Sequence, residues 1–191
     1  MTVPRSALPW ATIALFAGSA STFIVAGSAP GYVRRHADGT LAFPDVEVFA
    51  LDAFRHPDVF VLLATLLVGV PSAASVERVV GGVGVGAVYV VAGFASGFVE
   101  AARMAASTVP VVGAFGGTTA LLTMWLVMRH RSGGGVVVAS LVVAGWLGAA
   151  MLQAGPFPLL ACGTAGWVGM YAMDATAPTD RRANNNPRAR P

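Results

Sequence analysis

The residue types best suited to chemistry in this 191-residue sequence are three histidines, one cysteine and nine carboxylates, and their spacing limits what they can do. His36, His56 and His130 are scattered along the chain, without the close grouping of His, Cys, Asp and Glu that a metal site needs. Neither a metal nor a cofactor is expected. Cys162 stands alone inside an apolar run, so it reads as a small packed residue rather than a disulfide or redox centre. Hydroxyls at Ser107, Thr118 and Thr119 offer nucleophile atoms, but a hydroxyl needs a base within hydrogen-bond reach. No histidine follows His130, and His56 is the one imidazole left for the task. Glu77 beside Arg78, and Glu100 three residues before Arg103, sit at the ends of apolar runs and read as anchors and local pairs.

The elements that must position these residues are set by composition. Of the chain, 55% is hydrophobic and 11% charged, with a mean hydropathy of +0.70; soluble domains carry about 25% charged residues. An integral membrane protein is expected. All 12 basic residues are arginines, set singly or in pairs between apolar runs, an arrangement that excludes a nucleic-acid face. The lipid bilayer is the expected partner.

A bilayer core takes about 20 apolar residues per helix. Charge-free intervals then place spans near 9–29, 58–74, 79–99 and 108–128. The stretch Ser132–Met173 holds 42 residues without a charge, too long for one crossing, and Gln153, Gly155, Pro156 and Pro158 interrupt it. It divides into spans near 136–152 and 157–173. The fold class is all-α, a polytopic bundle of six transmembrane helices over residues 1–174. Arg5 ahead of the first span, with Ala26, Gly27, Ser28 and Ala29 at its end, also fits a cleaved signal peptide, although the apolar stretch is long for one.

Six crossings put both termini on one side. With the termini in the cytosol, the inner segments hold Arg5, Arg78, Arg129, Arg131, Arg181, Arg182, Arg188 and Arg190, while Arg34, Arg35, Arg55 and Arg103 fall outside among six acids. The positive-inside rule favours this orientation in the cell (cytoplasmic) membrane. Residues 175–191, rich in Arg, Pro and Asn, are expected to be a disordered cytosolic tail. By this segmentation no charge sits at mid-span, which argues against a pump.

Inside lipid, close van der Waals contact holds helices together, and small residues permit it. Gly82 and Gly86, Gly93 and Gly97, and Gly113 and Gly117 are each four apart, so the third and fourth spans are expected to be central. The connection Pro30–Pro57 is unusually long. Its apolar residues Phe43, Val46, Val48, Phe49, Leu51 and Phe54 suit either an interfacial segment or a surface loop.

Phe54, Arg55, His56, Pro57 and the apolar run through Leu67 resemble the start of the second core helix of the rhomboid intramembrane proteases. Glu77, Gly81 and Tyr89 then match that family's Glu, Gly and Tyr in order and spacing, and Ser96–Glu100 lead through a short outer loop to a Gly-rich entry into the fourth span. The resemblance covers roughly 54–171. It implies a rhomboid-like bundle, with His56 anchoring a loop and Glu77, Gly81 and Tyr89 in structural roles.

At the catalytic positions the sequence departs from that family. The family's Gly-x-Ser-Gly motif corresponds to Gly113, Ala114, Phe115 and Gly116, so Phe115 stands where the nucleophile would be. A benzyl group cannot attack a carbonyl. Val61 and Thr65 stand at the positions of the family's His and Asn, and Val61 cannot donate to an oxyanion. The last helix should carry the base between Ala161 and Thr164, where no histidine occurs.

The resemblance therefore implies a pseudoprotease with no catalytic residue. Phe115, Val61, Thr65, Gly113, Gly116, Gly117, Ala161 and Thr164 mark its vestigial site, and it would bind transmembrane segments of client proteins. A small transporter or channel subunit, or an active protease whose catalytic register lies elsewhere, are the competing expectations. A sealed core around Phe115 favours the first, a polar through-path the second, and a hydroxyl bonded to an imidazole the third.

Overall fold

Each of the six segments expected to be helical carries one helix. In the computed structural model these are α1 (Trp10–Ala26), α2 (Val59–Val80), α3 (Gly82–Arg103), α4 (Ala114–Ser132), α5 (Val136–Ala154) and α6 (Pro156–Thr176). Residues 8–26, 31–35, 41–42, 54–103, 108–111, 114–154 and 156–176 are described. The tail from 177 onward, Gly113, His36 and the apolar positions Phe43 to Leu51 lie outside them.

Of the described helices, α2 is long and apolar enough to cross a membrane, and α1, α3, α5 and α6 contain shorter apolar stretches. Its start is set by Asp58, an extended residue whose carboxylate accepts the Val61 N–H at 2.8 Å. Its end is set by Gly81, at φ 83°, whose N–H donates to the Glu77 carbonyl at 2.8 Å. Only this one residue separates α2 from α3. The helix thus runs past 74, where charge counting ends the second span, and carries Glu77 and Arg78 in its last turn.

Helix α2 can hold Glu77 because the carboxylate has a partner that charge counting does not reveal. Glu77 Oε1 accepts the Ala11 N–H at 3.1 Å, and Oε2 accepts the Thr12 N–H at 2.8 Å and the Thr12 hydroxyl at 2.7 Å. These N–H groups belong to the first turn of α1, where the helix has no internal acceptors for them and its dipole favours an anion. Glu77 is therefore a cap supplied by a neighbouring helix, 65 residues away in sequence. Hydrogen bonds to a charged group contribute about 1.5–3 kcal/mol. Glu77→Ala is expected to cost about 2 kcal/mol in a thermal or denaturant melt. In a double-mutant cycle with Thr12→Val the two losses should be non-additive; additive losses would show that the contact contributes nothing.

The connections hold a small sheet of order β2-β1-β3, which the sequence reading did not anticipate. Strand β1 (Gly31–Arg35) pairs antiparallel with β2 (Leu41–Ala42) and with β3 (Thr108–Val111), in register Gly31 with Val111 and Arg34 with Thr108. Residues 108–111, expected at the start of the fourth span, are strand, and α4 begins at Ala114. The sheet ties the long first connection to the segment entering α4.

Helix α4 is the axis of the bundle and packs on α2, α3, α5 and α6. Every residue from Ala114 to Leu122 is buried, so no face of this half of the helix meets the exterior. Helix α3 packs on α1, α2, α4 and α6. One core cluster joins Phe16, Val76, Val85, Tyr89, Leu121, Met124 and Met170, and a second joins Phe115, Leu122, Val143, Trp146 and Leu159.

Candidate functional site

Successive residues at the start of α4 meet different helices, because each α-helical step turns the side chain by about 100°. Phe115 packs against Trp146 of α5, ring centres 5.7 Å apart, and shares a cluster with Leu159 of α6 and half-buried Val61 of α2. Its own exposure is 3%. One turn on, Thr119 accepts the Trp146 indole N–H at 3.0 Å. Phe115 and Thr119 together hold α5 by one tryptophan, through ring contact and hydrogen bond.

The neighbouring positions require glycine. A Cβ on Gly116 would strike Ser96 Cβ, come within 2.6 Å of the Ala92 carbonyl and reach 3.0 Å from Cys162 Sγ. On Gly117 it would stand 2.8 Å from the Tyr89 carbonyl and ring. Of the four-apart pairs, Gly82 meets Ala11 of α1 at 2.9 Å while nothing lies within 4 Å of Gly86. A close approach of α6 to α4 is made by Gly166, which the pair count did not single out; its added Cβ would collide with the Ala120 carbonyl.

Polar groups gather on the other sides of α4. Tyr89 is fully buried, with its hydroxyl 3.5 Å from Ser19 and near Thr118, and its ring between Phe16 at 5.9 Å and Phe54 at 5.7 Å. Thr65 and Thr118 are buried with no hydrogen-bond partner for Oγ1. Cys162, beside Ser96, donates its thiol to the Ala92 carbonyl at 3.2 Å. On α6 it is Cys162 and Leu159 that turn inward, while Ala161 and Thr164 are exposed and the Thr164 hydroxyl donates to the Leu160 carbonyl. Trp146, Leu159 and Ser96 are the members of this site that sequence reasoning missed, whereas Cys162 is buried as expected of a small packed residue. The signal available for Trp146 was its indole N–H, which needs an acceptor inside an apolar helix.

Chemically, this arrangement has hydroxyls and a thiol but no base beside them. Among the described residues no imidazole is hydrogen-bonded to a hydroxyl or thiol, and no group of three or more His, Cys, Asp or Glu side chains could hold a metal ion. No family model, curated protein or solved structure matches this chain. Its function must therefore be argued from the site itself.

His56 is 2% exposed and lies just before α2. Its Nδ1 is 3.0 Å from the Phe54 carbonyl, two residues back, and this bond turns the chain so that Phe54 reaches Tyr89 and Gly18. Burial pushes its pKa down from 6.5 to about 4, opposed by the Phe54 carbonyl and the Asp58 charge. Between those two pH values the unfolded chain holds more protons than the folded one, so stability falls as pH drops through this window. The melting temperature is expected to decline from pH 6.5 toward pH 4, and His56→Asn should flatten that part of the profile. An unchanged slope in the variant would assign the acid sensitivity to other groups.

Proposed function

We propose that this chain is an integral membrane protein of rhomboid-like architecture, lacking protease chemistry, that binds transmembrane segments of client proteins. In this reading all six helices cross the cell membrane and both termini are cytosolic. The distribution of side chains supports the membrane part. Large apolar residues stand on the outside, among them Ile24 at 81% exposure, Phe60 at 78%, Val83 at 90% and Leu152 at 89%. Threonine, serine, glycine and alanine occupy much of the interior around α4. Water would penalise such an exterior, whereas lipid tails solvate it and leave small residues to pack the helices.

The observation that carries the functional part is Phe115. Where the resembled family has its nucleophile, a buried ring is enclosed by Val61, Trp146 and Leu159, and a dry contact replaces a reactive oxygen. Client binding finds support on α5, which meets α4 closely and α6 much less. Leu141, Ala144, Gly145, Gly148, Ala149 and Leu152 are exposed on it, and nothing lies within 4 Å of a Cβ added at Gly145 or Gly148. Small residues one helical turn apart let a second helix approach its backbone closely.

Photocrosslinkers placed in the membrane at Leu141 and Gly148, with Ile24 on α1 as control, test this reading. Adducts to membrane-spanning segments of other proteins are expected at the α5 positions and not at Ile24. Lipid adducts alone at all three positions would refute client binding at this face.

A further inference from the structure

We propose that the hydroxyls of Ser19, Thr65, Tyr89 and Thr118 form an internal site that binds water among α1, α2, α3 and α4. All four side chains are fully buried, and one comes from each of these helices. The Oγ1 atoms of Thr65 and Thr118 have no hydrogen-bond partner in the protein. The Tyr89 and Ser19 hydroxyls stand 3.5 Å apart, where a bond between two hydroxyls measures about 2.7–2.8 Å. Buried polar groups are paired as a rule, so this group needs a partner that the chain itself does not supply.

The four hydroxyls converge from different sides. Thr118 lies near the Tyr89 hydroxyl without bonding to it, while its methyl faces α2: a Cβ on Gly69 would lie 3.5 Å from Thr118 Cγ2. Thr65 is one turn before Gly69 and one turn after Val61, which packs with Phe115. It therefore stands on the α2 surface that faces the Phe115–Thr118 turn of α4. The Phe16 and Phe54 rings flank Tyr89.

The two threonines also forgo the alternative open to a hydroxyl in a helix. Ser72, Ser75, Thr123 and Thr164 each donate to the carbonyl four residues earlier. Thr65 and Thr118 make no such bond to Val61 or Ala114, and their Oγ1 atoms are left between helices.

Water fits because it donates and accepts at once, as each hydroxyl does, and a buried water makes about three hydrogen bonds. A hard cation would take about six or more oxygen ligands, carboxylates among them. Asp58 and Glu77, the acids at the two ends of α2, are engaged with Val61 and with the first turn of α1. A bound water would tie four helices together by polar contact at a level where their other contacts are apolar. The site does not depend on the client-binding reading.

The test is X-ray radiolysis of the full chain in detergent, read by mass spectrometry, because radicals formed from a bound water oxidise the side chains beside it. Fully buried Tyr89 is expected to be oxidised at a rate near that of exposed Trp10, and buried Trp146, whose N–H is bound to Thr119, to be spared. Thr118→Val should lower the Tyr89 rate several-fold and lower the melting temperature, with a loss that is non-additive with that of Thr65→Val. Dry, unpartnered hydroxyls would do the opposite, since a methyl in their place removes a desolvation cost and raises the melting temperature. If Thr118→Val loses helix content by circular dichroism, Thr65→Val must slow Tyr89 oxidation and Thr118→Ser, which keeps the hydroxyl, must leave it unchanged. Tyr89 oxidation no faster than that of Trp146, oxidation that the valine variants leave unchanged, or a higher melting temperature in both would overturn the site. A Tyr89 rate or melting temperature that changes when sodium is replaced by N-methylglucamine at constant ionic strength would assign the hydroxyls to a cation and overturn it too.

Discussion

Replacing Phe115 by serine will lower the stability of this protein sharply and will not create a protease. The ring is 3% exposed and contacts Trp146 in a cluster with Val61 and Leu159, so its removal opens a cavity shared by α2, α4, α5 and α6. Truncating a buried Phe costs about 3–5 kcal/mol, and the new hydroxyl would be buried in an apolar pocket. A fall in melting temperature in detergent, with Trp146 fluorescence reporting a loosened α5, is the expected measurement. Activity will not follow, because a serine at 115 lacks a base and oxyanion donors, and catalytic groups that act as a unit contribute little one at a time. A fluorophosphonate serine probe should label neither the unaltered chain nor the variant. Wild-type melting behaviour in Phe115→Ser would show that the ring does not contribute to the core.

The second large effect is expected from alanine at Gly116 and Gly166. A Cβ at Gly116 meets Ser96, Ala92 and Cys162, and a Cβ at Gly166 meets the Ala120 backbone. Backbone atoms cannot swing aside as a flexible side chain can, so α3 and α6 must move away from α4. Overpacking of this kind costs about 1–3 kcal/mol per site and occasionally more. The two should couple, since both separate α4 from α6. Gly86→Ala and Gly148→Ala serve as controls: nothing lies within 4 Å of their added Cβ, and alanine favours the helix by up to about 1 kcal/mol. Equal melting temperatures for Gly116→Ala, Gly166→Ala and the two controls would mean that helix contact at α4 does not depend on glycine.

How far the sequence could be read depended on whether a signal was local. Helix-forming segments were legible because charges and helix-breaking residues punctuate the chain: Asp58 opens α2, Gly81 closes it, and Gly155 with Pro156 divides α5 from α6. Helix ends were less legible. Glu77 looked like the end of an apolar run, yet its helix continues, because the first turn of α1, 65 residues away, donates its N–H groups to the carboxylate. The three-stranded sheet was not legible at all, since β1 and β3 are short, separated by some 70 residues, and include Pro110, which cannot donate to a ladder.

By itself the sequence determined which segments are apolar and free of charge, that no histidine follows His130, and that a phenyl ring stands at position 115. These are properties of composition, order and side-chain chemistry, and no fold can change them. Tertiary structure alone decided which residues meet. It turned Cys162 and Leu159 inward in place of Ala161 and Thr164, brought Trp146 to Phe115 and Thr119, and left Gly86 without a neighbour while pressing Gly166 on Ala120. The physical reason is that helix rotation and crossing are set by close packing across several neighbouring surfaces at once, four of them for α4. A shift of one residue turns a side chain by about 100°, and sequence spacing within one helix carries no record of the surface it will face.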